Sequence, residues 1–148
     1  MEKQFNRVRS ASDVIVSVSM LASGAILMFF PSNIGVNIGG FFLLLSGSLF
    51  ICMYKNGYKE SESKVMYHKK ELYFRKDTLK SLREAVLTDP GSIELSNIGK
   101  GWTLKLNLYY NKRTGKAYLQ LFEYLPYNYE PVTDMLEYDI AEIKGLIK

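Results

Sequence analysis

Catalytic side chains are scarce in this sequence. The single histidine, His68, has no cysteine or second histidine near it, and the only cysteine, Cys52, lies inside a long apolar run. No glycine-rich loop leads into a Lys-Ser/Thr pair, and no Gly-x-Ser-x-Gly turn is present. The carboxylates Glu123, Glu130, Asp134, Glu137, Asp139 and Glu142 flank expected helix starts and strand edges, where capping or solvation accounts for them. The sequence therefore reads as non-enzymatic, with no catalytic residue, no metal site and no cofactor. A lipid-modifying enzyme would need His68 or a carboxylate at the membrane interface.

Cations and aromatic rings are plentiful instead. In "GKGWTLKLNLYYNKRTGKAYLQLF", Lys100, Lys105, Lys112, Arg113 and Lys116 are candidates to neutralise phosphate, and Trp102, Tyr109, Tyr118 and Phe122 are candidates to stack on bases. Rings hold bases at ~1–3 kcal/mol each, and cations meet phosphates. The charge is polarised. Residues 55–116 hold 14 Lys and Arg against 7 Asp and Glu, whereas residues 117–148 hold 2 against 6.

These residues are positioned by a β-hairpin. "WTLKLNLYY" and "AYLQLFEYL" alternate apolar and polar residues around the turn "NKRTGK". If Asn111 opposes Lys116, the leucines Leu104, Leu106, Leu108, Leu119 and Leu121 share one face. Thr103, Lys105, Asn107, Tyr109, Tyr118, Gln120, Phe122 and Tyr124 then share the other. A glycine bulge in the turn would flip the second strand and send Phe122 and Tyr124 into the core. The first register is preferred because it gathers the leucines, and the aromatic face is then either a stacking site or a packing surface.

Around the hairpin, "VMYHKKELYF" reads as a strand, or as a hairpin turning at Lys69-Lys70. A helix capped by Asp77 or Thr78 follows and stops at Asp89-Pro90-Gly91. A last helix begins at Asp134 or, preferably, Asp139, with Met135–Tyr138 extended and Ile140, Ile143, Leu146 and Ile147 as its buried stripe. This is an α+β domain over residues 65–148, small enough to gain from self-association.

The N-terminal third differs in kind. From Val14 to Tyr54 there is no Asp, Glu, Lys, Arg or His. As one helix this run would be about 60 Å long, twice a bilayer's hydrocarbon layer, and Pro31-Ser32-Asn33 breaks it. Two spans follow, at about 12–30 and 34–54, within an N-terminal segment of residues 1–54, and residues 55–64 form a polar linker. A cleaved signal peptide is the alternative for the first span, but its apolar core would be shorter. Lys3, Arg7 and Arg9 precede the spans and Lys55, Lys59 and Lys64 follow them, which places both ends in the cytoplasm. Gly35, Gly39, Gly40, Ser46 and Gly47 give span two a small-residue face, Ser19 and Ser23 give span one a similar surface, and Asn37 and Ser48 need polar partners in lipid. These residues are candidates for helix packing or for lining a pore.

Two spans in a tight hairpin, a short linker and a basic, aromatic α+β cytoplasmic domain together resemble the small membrane effectors associated with type III CRISPR systems. The resemblance implies a homo-oligomer, a tetramer among the options, whose soluble domain binds cyclic tetra-adenylate and whose spans then form a pore or disrupt the bilayer in antiviral defence. It implies a multi-pass protein of the bacterial inner membrane, with lipid, a cyclic oligonucleotide and copies of itself as partners and no DNA. It makes "GKGWTLKL" and "YNKRTGKAYLQ" the first places to look for phosphate and adenine contacts. The rival reading is a membrane-anchored adaptor that docks a partner protein without pore activity.

Overall fold

The computed structural model describes residues 3–29, 33–99 and 101–147. Asn6–Tyr58 form one compact unit, and the rest of the described chain forms the other.

The first unit is a pair of antiparallel helices, α1 (Ala11–Phe29) and α2 (Ile34–Met53). Both are long and apolar enough to cross a membrane. Their buried residues are Ser17 and Gly24 of α1 and Gly40 and Gly47 of α2, all small. The large apolar side chains, among them Ile15, Val18, Ile26, Phe41, Phe42, Leu45 and Leu49, are exposed. A soluble helix would hide such residues, whereas a lipid-facing helix presents them. The seam is tight: a Cβ on Gly24 would come within 2.8 Å of the Gly40 carbonyl oxygen, and one on Gly47 within 3.0 Å of Leu21 Cγ.

Of the residues expected to pack the spans, Gly40 and Gly47 lie in this seam. Ser19, Ser23, Gly35 and Gly39 do not; they are exposed on the outside of the pair, while Asn37 and Ser46 are half-buried. Ser48 settles its hydroxyl locally by donating to the Leu44 carbonyl at 2.8 Å.

Ser10 caps α1: Ser10 Oγ accepts from the Asp13 amide at 3.2 Å, and the Asp13 carboxylate accepts from the Ser10 amide at 2.8 Å. This is the reciprocal bonding of a capping box. Asp13 further accepts from the amide and side chain of Asn56 at 2.9 and 3.0 Å, tying the start of α1 to the chain just past α2. Asn33 caps α2, while Pro31 and Ser32 of the expected turn lie outside the described residues.

The chain forms a sheet of seven strands, β1 (Phe5–Val8), β2 (Gly57–Glu60), β3 (Met66–Phe74), β4 (Leu104–Asn111), β5 (Lys116–Leu125), β6 (Asn128–Pro131) and β7 (Leu136–Asp139), and the second unit is built on β3 to β7 with Phe5 of β1 and Lys59 and Glu60 of β2. The order is β1-β2-β3-β4-β5-β6, and β7 also pairs with β5. Asn111 opposes Lys116, so the leucine-gathering register is the one adopted. Leu72, Phe74, Leu104, Leu106, Leu108, Ala117, Leu119 and Leu121 form the inner face. Against it pack Leu82 and Val86 of α3 (Leu79–Thr88), with Ile143 and with Leu146 of α4 (Lys144–Ile147).

The basic stretch before α1 contains β1. Of the two readings of "VMYHKKELYF", the single strand is adopted, with Lys69 and Lys70 inside it. Two expectations are corrected. Residues 57–60, read as linker, form β2. The last helix starts at Lys144, because Asp139 still belongs to β7 and pairs with Lys116. The expected stripe nevertheless holds, with Ile143 and Leu146 buried and Ile140 and Ile147 packed at its edge.

Candidate functional site

The outer face of the sheet carries the cations and rings. Alternation along β3, β4 and β5 sends Tyr67, Lys69, Glu71 and Tyr73, then Lys105, Asn107 and Tyr109, then Tyr118, Gln120 and Phe122 to that side. The residues expected to bind a ligand separate here into three groups.

Trp102, Lys105 and Phe122 stay together at one end. Gly99 (φ +76°) donates its amide to the Tyr73 carbonyl at 2.8 Å, and a Cβ on Gly101 would come within 2.8 Å of the Phe74 oxygen and Arg75 Cα. Only glycine lets the loop lie this close to β3, and the next residue, Trp102, is thereby set 5.3 Å from the Tyr73 ring. Trp102 is 75% exposed. Its carbonyl accepts from the Tyr129 hydroxyl at 2.6 Å. Lys105 Nζ lies 4.2 Å from the centre of the Tyr129 ring and 5.3 Å from that of Phe122, within cation–π range. Burial holds the Lys105 ammonium below the ordinary lysine range, with Glu71 opposing and Lys69 assisting. Glu71 accepts from Lys69 at 2.5 Å and from the Tyr73 hydroxyl at 2.6 Å.

Tyr109 and Tyr118 lie at the other end and are covered. Phe5 stacks on Tyr109 with ring centres 4.2 Å apart and planes 4° from parallel, and Tyr67 and Tyr118 approach the Phe5 ring at 5.3 and 5.6 Å. The Tyr118 hydroxyl donates to Glu137 at 3.0 Å.

The turn holds the third group. Asn111 Oδ1 accepts from the amides of Arg113 and Thr114, and Gly115 (φ +73°) closes the four-residue loop. Lys112 and Arg113 are exposed beside a hollow of about 420 Å³ that His68 and Tyr110 also line. Lys112 borders a second hollow of about 780 Å³, lined further by Ile140, Ala141, Lys144 and Ile147. Lys116 is engaged by Glu137 at 2.5 Å. Lys100 lies outside the described residues.

No family model, curated protein or solved structure matches this chain. Among the described residues, no group of three or more His, Cys, Asp or Glu is arranged to hold a metal ion.

Sequence reasoning missed Tyr73, Tyr129, Glu71 and Phe5. The first and third were legible in the alternation of "YHKKELY", which gives Tyr67, Lys69, Glu71 and Tyr73 one parity. Tyr129 sits in a four-residue strand too short to carry a period, and Phe5 is isolated among polar residues.

Proposed function

We propose that this chain is a non-enzymatic, homo-oligomeric membrane effector. Its two apolar helices cross a bacterial inner membrane with both termini in the cytoplasm. The α+β unit binds an anionic, base-bearing ligand, a cyclic oligonucleotide, and the bound state alters what the helices do to the bilayer. The membrane half is supported by helices whose large apolar side chains are uncovered, bracketed by basic residues at each end. Coupling requires that the ligand bind one arrangement of the oligomer better than another.

The observation that carries the ligand half is the exposed Trp102 indole beside Lys105 and the rings of Tyr73, Tyr129 and Phe122. An uncovered indole offers a stacking platform, and a partly desolvated ammonium meets phosphate at an effective dielectric below that of water. Trp102 is the only tryptophan, so its fluorescence reports on this site alone. Cyclic tetra-adenylate titrated into the full-length protein in nanodiscs should quench it. Trp102→Ala should weaken binding by about ten- to a hundredfold, measured by calorimetry, and Lys105→Glu should abolish it. Ligand bound with no quench, or equal affinity in both variants, rejects the site.

A second reading, a membrane-anchored adaptor, is favoured by Tyr127. This residue is 98% exposed in the turn after β5, at φ +81°, a conformation strained for any residue but glycine. With Trp102, Tyr124 and Leu125 also exposed, it offers rings of the kind that anchor protein interfaces.

A further inference from the structure

One ring on the outer face is brought there by the first strand, β1. Phe5 lies flat on Tyr109, with Tyr67 meeting it edge-on and Tyr118 tilted beside it. This is a slot that grips a planar ring on one face and along its sides, and Phe5 itself is only half-buried in it. The segment that delivers it is β1, paired with β2 at the end of the sheet. Lys3 pairs with the buried Glu60 at 2.5 Å and lies 5.3 Å from the Tyr118 ring centre, and the Gln4 carbonyl accepts from Ser61 at 3.0 and 3.1 Å.

Next to the slot along β4 stands Asn107. It is 6% exposed, and its Oδ1 has no hydrogen-bond partner among the described residues. Buried amide oxygens are paired almost without exception, so an unused acceptor here marks a place for a donor from outside the chain. Asn107 lies between Tyr109, under Phe5, and Lys105, beside Trp102, and these two are about 13 Å apart along an extended strand. With Phe5 gone, the face would run from the tyrosine slot past the unpaired Asn107 oxygen to the Trp102 cluster.

We infer that the Tyr67–Tyr109–Tyr118 slot is a second ring-binding subsite for a nucleobase, occupied in this structure by the chain's own Phe5. An exocyclic amine of the ligand donates to Asn107 Oδ1. The ligand class rests on the function proposed above, but the slot itself rests on separate residues. A ligand with several bases engages both clusters and displaces Phe5, while one with a single base is met at Trp102 alone. Because Phe5 is on the segment leading into α1, its release frees the chain at the entrance to the first apolar helix. An internal competitor scales apparent affinity by the fraction of time that the slot stands empty.

The test uses the full-length protein in nanodiscs, with adenosine 5′-monophosphate and cyclic tetra-adenylate as probes. Wild type should bind one monophosphate per chain and Phe5→Ala two, the second lost in Phe5→Ala/Tyr109→Ala. Affinity for cyclic tetra-adenylate should rise about tenfold in Phe5→Ala, the order of one aromatic contact removed. No added site and no gain in Phe5→Ala, with Trp102-dependent binding intact, overturns the subsite and leaves the proposed function standing. Tyr109-dependent binding in Phe5→Ala, with none in wild type, upholds the slot and removes the Trp102 site; no binding to either protein removes both. If Phe5→Ala does not fold, hydrogen exchange of wild type decides. Cyclic tetra-adenylate should speed exchange at the Ser61 amide, which bonds the Gln4 carbonyl, and no change overturns the inference.

Discussion

Glu60, Glu71 and Glu137 each meet a lysine at 2.5 Å: Lys3, Lys69 and Lys116. The bond from Lys116 holds the Glu137 carboxyl below its ordinary range. For Glu60 and Glu71 burial pushes upward, and bonds from the lysines, with Ser63 and Tyr73 respectively, outweigh it. The same bond to Glu71, with burial, pushes the Tyr73 hydroxyl up to about 12, so it remains a donor at neutral pH. A carboxylate whose folded value is depressed contributes stability fully present above its unfolded value near 4.5 and lost as pH falls through the folded one. The urea midpoint of the solubilised protein, followed by Trp102 fluorescence, should hold level from neutrality down to about pH 5 and fall steadily below that. A midpoint that rises on acidification would contradict the pairing.

Which parts of the fold were legible follows from how much periodicity each element carries. The β4–β5 register could be read because five leucines at period two gather on one face in only one alignment. Of the four strands of four residues, β1, β2 and β6 were missed because they offer too few alternations, and the basic residues near β1 read as orientation signals rather than as part of a sheet. Adjacent glycines posed a different difficulty. Gly39 and Gly40 both suit a small-residue face, and composition cannot tell which one meets α1. The structure separates them: a Cβ on Gly40 would come within 2.9 Å of the Gly24 oxygen, while one on Gly39 meets nothing within 4 Å among the described residues. Gly40→Leu should therefore break the helix pair and lower the thermal midpoint of the solubilised protein, and Gly39→Leu should leave that midpoint unchanged. If copies of the chain pack through the outer small-residue face, Gly39→Leu will instead reduce the mass of the detergent-solubilised particle. Equal midpoints for the two variants would contradict the seam.

The two units differ in chemistry. The helices bury only small residues between them and leave their bulky apolar surface exposed, while the sheet turns its leucines inward and its rings and lysines outward. The candidate ligand residues divide among a Trp102 cluster, a tyrosine slot and an exposed turn, a division that a linear sequence cannot display because the cover over the slot comes from Phe5, about a hundred residues away. At the scale of the whole molecule, we propose that ligand on the sheet changes the state of the membrane. Its most direct test is release of an entrapped dye from liposomes carrying the full-length protein. Cyclic tetra-adenylate should trigger release from wild type and leave Trp102→Ala liposomes sealed; liposomes that stay sealed while the ligand is bound at saturation would contradict the account and favour an adaptor.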